Sequence, residues 1–252
     1  MFKKWKAFWK AFIPQKVSNS CVLWVMNVLC RVGRVSSKQQ EKNEDKNRKQ
    51  LSAHLPELLT GKYIESQKDW HEVCFGKGKH HTMSHSGCGI IAAYNALAAL
   101  GETVDCETNN HVNVEQVLSL IRFFEQNGAV LGGRIGIAPK AIADFFKKQG
   151  YGVTFTKCGT HMDENYINAL GDKSDVTIIT IYNNQKDIFG RIHNICMTKE
   201  QGRFLPHNVG RRKQTAKTGY AALWEAIMNS SSAPKVICMI GINKKENNHI
   251  NG

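Results

Sequence analysis

The eight cysteines include no CxxC pair and are spread through apolar segments. Most of them are predicted to be reduced, buried, small hydrophobic residues, and a disulfide framework is the weaker alternative. A secretion signal is also lacking, because the apolar run from Cys21 to Cys30 ends at Arg31, where the sequence makes a poor cleavage site. These absences predict a cytoplasmic protein.

No apolar run is long enough to cross a bilayer: the run from Cys21 to Cys30 has about ten residues, and a span takes roughly twenty. The sequence MFKKWKAFWKAFI (residues 1–13) instead places aromatic side chains at helical spacing with lysines between them, and Pro14 should end that helix. Such a helix suits the surface of an anionic membrane. Residues 1–35 are therefore expected either to attach the chain to the membrane inner face or to pack on protein.

Acidic residues are few: 21 Asp and Glu stand against 34 Lys and Arg, giving a formal net charge of +13. The excess is concentrated in the first 50 residues, which hold 12 basic and 3 acidic side chains. Because the remaining chain is nearly balanced, no nucleic-acid partner is predicted. Residues 36–50 contain no apolar side chain and read as a polar linker or an exposed helix. The expected organisation is an arm (1–35), a linker (36–50) and one domain (51–252).

Within that domain, helical patterns come first and strand patterns follow. The order predicts an α+β fold with a mainly antiparallel sheet packed against a helical half. Glycine-containing residues 200–202 should form a hairpin turn between two of the strands. The predicted helices are Ile90–Leu100, Val114–Gln126, Pro139–Lys148 and Tyr220–Asn229, and the predicted strands are Tyr151–Lys157, Val176–Tyr182, Arg191–Lys199, Arg203–Asn208 and Val236–Ile242.

The sequence SGCGIIAAYNALAALG (residues 86–101) places Cys88 between two glycines at the start of an apolar helix. Ser84 or Ser86 could cap that helix. Unpaired N–H groups and the positive end of the helix dipole lower the pKa of a cysteine there, and the same N–H groups can hold an oxyanion. Cys88 is therefore a candidate nucleophile, with Gly87 and Gly89 giving room for a substrate. The competing interpretation is a plain core cysteine.

A thiolate nucleophile usually works with an imidazole. His193 begins the alternating strand RIHNICMTK, and a hairpin turn then leads to RFLPHN, which ends at Asn208. The start of one strand lies beside the end of its hairpin partner, so the Asn208 side chain could accept the imidazole N–H of His193. The alternatives are a core histidine at 193 and a turn residue at 208. His207 is a fallback that would point to the opposite face.

Three segments together resemble papain-like cysteine peptidases, in the C39-like, bacterial leader-peptidase branch. SGCGIIAAYNALAALG is similar to the nucleophile helix of these enzymes, GIAPKAIADFFKKQGY to the segment before their first strand, and HNICMTKEQGRFLPHN to their His and Asn/Asp hairpin. The likeness covers about residues 60–245. It implies a papain-like fold, Cys88 as nucleophile, His193 as base and acid, Asn208 as the orienting residue, a peptide or protein substrate, and no cofactor or metal.

Papain-like enzymes usually place a glutamine of the oxyanion hole some six residues before the nucleophile, and this chain departs from them at that position. Thr82 stands there, so Thr82, Ser84, His85 or backbone N–H groups alone would complete the hole. Two further alternatives stay open. His81, His85 and Cys88 have a helical spacing that would suit Zn²⁺. The chain could also be an inactive papain-like binding protein attached to a membrane through residues 1–35.

Overall fold

The computed structural model describes residues 18–32, 34–53, 62–77, 81–101, 112–158, 163–182, 192–209, 218–231 and 234–245. This part of the chain is a mixed α/β structure, about half helical, with an antiparallel sheet of five strands. The helices are α1 (Asn19–Val32), α2 (Ser37–Ala53), α3 (Met83–Ser86), α4 (Cys88–Leu100), α5 (Val114–Asn127), α6 (Pro139–Lys148), α7 (Glu164–Asp172) and α8 (Leu223–Ser230). The strands are β1 (Gly152–Lys157), β2 (Val176–Tyr182), β3 (Ile192–Glu200), β4 (Arg203–His207) and β5 (Lys235–Asn243).

The sheet has the order β1-β5-β2-β3-β4, and every neighbouring pair is antiparallel. Strands β3 and β4 form the predicted hairpin. Its turn residues Gln201 and Gly202 have φ of 50° and 75°, and positive φ at both positions matches the right-handed twist of the strands it joins. The expectation of an antiparallel sheet packed with helices is thus confirmed. The strand boundaries lie within one residue of the predicted ones, and those of the four predicted helices lie within three.

Two helices were absent from the sequence prediction. Helix α7 has nine residues and a modest apolar face, and Asp163 caps it by accepting a hydrogen bond from the N–H of Tyr166 at 2.9 Å. Helix α3 is a single turn, whose only buried side chains are Met83 and Ser86. Elements this short carry too few apolar positions for helical periodicity to emerge.

Helix α4 lies at the centre of the structure. It packs on β2 and β3 on one side and on α3, α5 and α6 on the others, and every residue from Cys88 to Leu100 except Ala99 is buried. An apolar surface on all sides is what such a position requires. The helix ends at Gly101, whose φ of 85° is the left-handed conformation that glycine adopts without strain.

The described part of the predicted arm also belongs to this core. Val22, Leu23 and Met26 of α1 are buried in the same apolar cluster as α4, while the predicted helix at residues 1–13 lies outside the described residues. In the part of the chain that the structure covers, no helix is both long and apolar enough to cross a membrane.

The expected polar linker is helix α2, one of the two forms predicted for it, but it is not simply exposed. Asn43 and Asn47 are buried. The Asn43 amide donates to the carbonyl of Gly76 at 2.9 Å and to Glu125 Oε1 at 2.6 Å, and Asn47 exchanges two hydrogen bonds with the backbone of Cys74. Composition missed this docking because, apart from Leu51 near its end, α2 makes these buried contacts with polar side chains.

The buried carboxyl of Glu125 predicts a pH-dependent stability. Burial raises its pKa to about 7, more than its hydrogen bonds from Gly76 and Asn43 lower it. The folded chain therefore keeps a proton that the unfolded chain releases between pH 4.5 and 7, so stability falls as pH rises through that window. Glu125→Gln keeps the acceptor oxygen but cannot ionise. We expect it to remove a loss of unfolding free energy on the order of 2 kcal/mol across this pH window.

Urea unfolding of wild type and Glu125→Gln at pH 5 and pH 8 measures this effect. The exposed Glu41→Gln is the matched control and should follow wild type. An equal loss of unfolding free energy in wild type and Glu125→Gln would contradict the assignment.

Candidate active site

Cys88 is the first residue of α4, and Gly87 is the N-cap. The predicted capping by Ser84 or Ser86 is wrong, because no side chain caps the helix. Ser86 Oγ is buried without a hydrogen-bond partner, and Ser84 uses its carbonyl to accept from Gln67 Nε2 at 3.0 Å. The first N–H groups of a helix lack intrahelical acceptors, and no side chain caps those of α4.

The two glycines beside Cys88 serve close packing. A Cβ at Gly87 would lie 2.6 Å from both the carbonyl oxygen and the sulfur of Met83. One at Gly89 would lie 3.0 Å from Ile137 Cβ and 3.3 Å from Asn194 Nδ2. Their absence lets α3 and the chain at Ile137 approach the start of α4. The predicted room around Cys88 is thus filled in part by the protein itself.

The structure brings His193 and Asn208 together, as the hairpin predicted, but through a different atom. His193 Nε2 lies 2.7 Å from the backbone carbonyl oxygen of Asn208. A carbonyl only accepts, so Nε2 carries the proton and Nδ1 is left to exchange a proton with the thiol. The Asn208 side chain, predicted as the acceptor, instead accepts from the N–H of Gln67 at 2.9 Å through Oδ1.

Asn194 is a site residue that the sequence did not reveal. Its Nδ2 donates to Cys88 Sγ at 3.5 Å, and its Oδ1 accepts from the Thr180 hydroxyl at 2.8 Å. Because that hydroxyl donates to Oδ1, the amide is held with its N–H groups toward the sulfur. Both side chains are buried. The sequence feature that could have identified Asn194 is a polar residue on the side of β3 that faces α4, next to His193 along the chain.

The electrostatics of Cys88 differ from those of other buried cysteines. Burial raises the pKa of Cys158 and Cys238 to about 12 and that of Cys196 further still. Burial also acts to raise the pKa of Cys88, but the hydrogen bond and charge of His193, with hydrogen bonds from Asn194, outweigh it and lower the pKa below its ordinary value.

The effect on His193 is reciprocal. Burial acts to lower its pKa, but the hydrogen bond and charge of Cys88 and the carbonyl of Asn208 raise it above 6.5. A lowered thiol pKa and a raised imidazole pKa both favour the thiolate–imidazolium pair relative to the neutral pair. Such a pair can attack an electrophilic carbon and then deliver a proton to a leaving group.

The remaining predicted residues lie before α4. Thr82 precedes α3 and is half-buried, with Oγ1 3.5 Å from Ser84 Oγ. His85 is exposed. Gln67, 21 residues before Cys88, is brought against both Ser84 and Asn208. Among the described residues, no group of three His, Cys, Asp or Glu side chains is placed to hold a metal.

Comparison with known proteins adds no relative: no family model, curated protein or solved structure matches the chain.

The Asn194 contact predicts a measurable change in thiol reactivity. Asn194→Ala removes a donor to the sulfur, so the pKa of Cys88 should rise by about one unit, and iodoacetamide should react roughly tenfold more slowly at pH 6. Thr180→Val should act in the same direction and more weakly, because it only releases the Asn194 amide.

The control is Thr177→Val, a buried threonine of the same strand whose side chain lies on the opposite face from Thr180. Peptide mass spectrometry of the Cys88 adduct gives the rate. Unchanged reactivity in Asn194→Ala would show that this amide does not stabilise the thiolate.

Proposed function

We propose that the chain is a cysteine peptidase or a related acyl transferase, which uses Cys88 and His193 to cleave an amide bond in a peptide or protein. The observation that carries the proposal is the pairing of two residues: Cys88, buried at the start of α4 with a lowered pKa, and the half-buried His193, whose Nε2 donates to the Asn208 carbonyl and whose pKa is raised. A cysteine that only fills the core gains nothing from that pairing, and burial should then raise its pKa, as it does for Cys196.

The reaction begins when the Cys88 thiolate forms a bond to the amide carbon and the carbonyl electron pair moves onto oxygen. N–H groups of the first turn of α4 hold this oxyanion. The C–N bond then breaks, and the amine leaves with the proton from His193 Nδ1. Water, or a second amine, loses a proton to His193 and attacks the thioester. The acid or new amide is released, and the thiolate returns.

The arrangement of elements supports a papain-like architecture as part of the proposal. The cysteine begins a buried helix, that helix packs on an antiparallel sheet, and the sheet supplies the histidine from β3 and its acceptor from the residue after β4. Gln67 supports it further, because its side-chain amide sits beside the segment before Cys88 and has a second N–H to offer. We propose Gln67 for the place that the family usually gives to a glutamine nearer the nucleophile.

Proteolysis tests the function. The purified protein is incubated with a library of denatured proteins, and new N-termini are identified by mass spectrometry. Cleavage should be abolished by Cys88→Ala and reduced at least 100-fold by His193→Ala, because the thiolate and the proton donor are both lost. Cys196→Ala removes a buried thiol outside the pair and should leave cleavage unchanged. Cleavage that persists in Cys88→Ala would refute the assignment.

A second candidate function is an inactive papain-like binding protein attached to an anionic membrane, for which α1 gives a specific observation. Trp24 is 65% exposed and Val32 is 73% exposed, and Val28 between them is also exposed. Four-residue spacing puts the three on one stripe of the helix, opposite the buried Val22 and Met26. The sequence on either side is basic, with five lysines in residues 1–16. Attachment through this stripe is compatible with either function.

Vesicle binding tests the attachment. The full chain should co-sediment with vesicles of phosphatidylcholine and phosphatidylglycerol, and less so with phosphatidylcholine alone or at high salt. Trp24→Ser with Val32→Ser should weaken binding at least tenfold, since two apolar contacts with the interface are lost. Met228→Ser, at another exposed apolar residue, is the control. Equal binding by wild type and the double variant, or self-association through α1 on a sizing column, would contradict the proposal.

A further inference from the structure

A second histidine-centred network lies directly behind Asn208. His207, the last residue of β4, has Nδ1 2.9 Å from Glu65 Oε1 and Nε2 2.8 Å from Thr198 Oγ1. His207 and Thr198 are buried. The carboxylate accepts from Nδ1–H, and in the neutral imidazole Nε2 accepts the hydroxyl proton of Thr198. Both ring nitrogens are therefore occupied, and the imidazole is held in one orientation.

Aromatic contact closes the network on its remaining side. The Tyr63 ring lies on His207, with centroids 4.1 Å apart, and its hydroxyl donates to Glu200 Oε1 at 3.2 Å. The hydrogen bond between His207 and Thr198 is buried, where a low dielectric strengthens it and an unpaired group would be costly. The network therefore resists rotation of the His207 side chain.

The same segment also holds Asn208. Gln67 lies two residues after Glu65, which binds His207, and the N–H of Gln67 donates to Asn208 Oδ1. Asn208 has φ of 61°, the left-handed region, which a non-glycine residue keeps only where its surroundings fix it. The peptide group that follows Asn208 is thereby aimed so that its carbonyl reaches His193 at 2.7 Å. Because Glu65 binds His207 and Gln67 binds Asn208, the backbone at Asn208 is kept from relaxing to an ordinary extended conformation.

We propose that His207 is a positioning residue for the Cys88–His193 pair: the Glu65–His207–Thr198 network fixes the backbone at Asn208, and that backbone holds the proton on His193 Nε2. This inference rests on the proposed function. In this proposal, His207 contacts neither the Cys88 sulfur nor a substrate. Its effect passes through the Asn208 carbonyl, which accepts from Nε2 of His193 and so leaves Nδ1 for the thiol.

The test is the pH profile of Cys88 alkylation by iodoacetamide in wild type, His207→Leu and Glu65→Gln. His207→Leu keeps much of the volume and loses both hydrogen bonds, so the rate at pH 6 should fall about tenfold, as for a pKa rise of one unit. The rate at pH 10, where the thiol is ionised regardless, should stay within about twofold. Glu65→Gln keeps an acceptor oxygen for Nδ1–H and should retain most of the wild-type profile.

Thr198→Val is the second variant if His207→Leu does not fold, and its rate at pH 6 should fall at least threefold; Thr177→Val is its matched control. A role in stability alone would lower the melting temperature and leave the profile unchanged, and that result would overturn the proposal while wild-type Cys88 still reacts at low pH. A wild-type Cys88 that titrates like an ordinary thiol would instead refute the proposed function, and this inference with it.

Discussion

Burial of the Cys88 thiol is the constraint on which the rest of the site depends. At the start of α4, the Cys88 side chain is 6% exposed, and removal from water by itself disfavours a thiolate. The charge of His193 and the Asn194 amide reverse that preference. His193 can do so only while it is oriented, and the Asn208 carbonyl provides the orientation. The proposed chemistry therefore depends on backbone geometry at the end of β4.

The fold supplies that geometry from three separate parts of the chain. Helix α4 brings the sulfur, β3 brings the histidine and the neighbouring amide, and the segment around Gln67 ties the residue after β4 to the loop before α4. Glycines at 87 and 89 let these parts meet, since a Cβ at 87 would overlap Met83 and one at 89 would press tightly on Ile137. In this region, the small residues that allow close packing therefore also allow the site to assemble.

The sequence predicted the elements whose apolar patterns are long, such as α4 and α6, and the hairpin that joins His193 to Asn208. It missed what rests on polar contacts between distant segments. Asn43 docks a helix that has the composition of a linker, Asn194 turns its amide to the sulfur only because Thr180 holds it, and Asn208 acts through its carbonyl. Neither periodicity nor spacing encodes which atom of a side chain or backbone meets a partner, because that depends on the register of strands and on local backbone angles.

The most direct measurement is an NMR titration of the His193 imidazole in wild type and in Cys88→Ser. The reciprocal pair predicts a His193 pKa above 6.5 in wild type. In Cys88→Ser it should fall below that value, since serine does not ionise and burial, the largest influence on the His193 pKa, then outweighs the Asn208 carbonyl. The same pKa in both proteins would mean that His193 does not sense a charge on Cys88, and the catalytic pair would be contradicted.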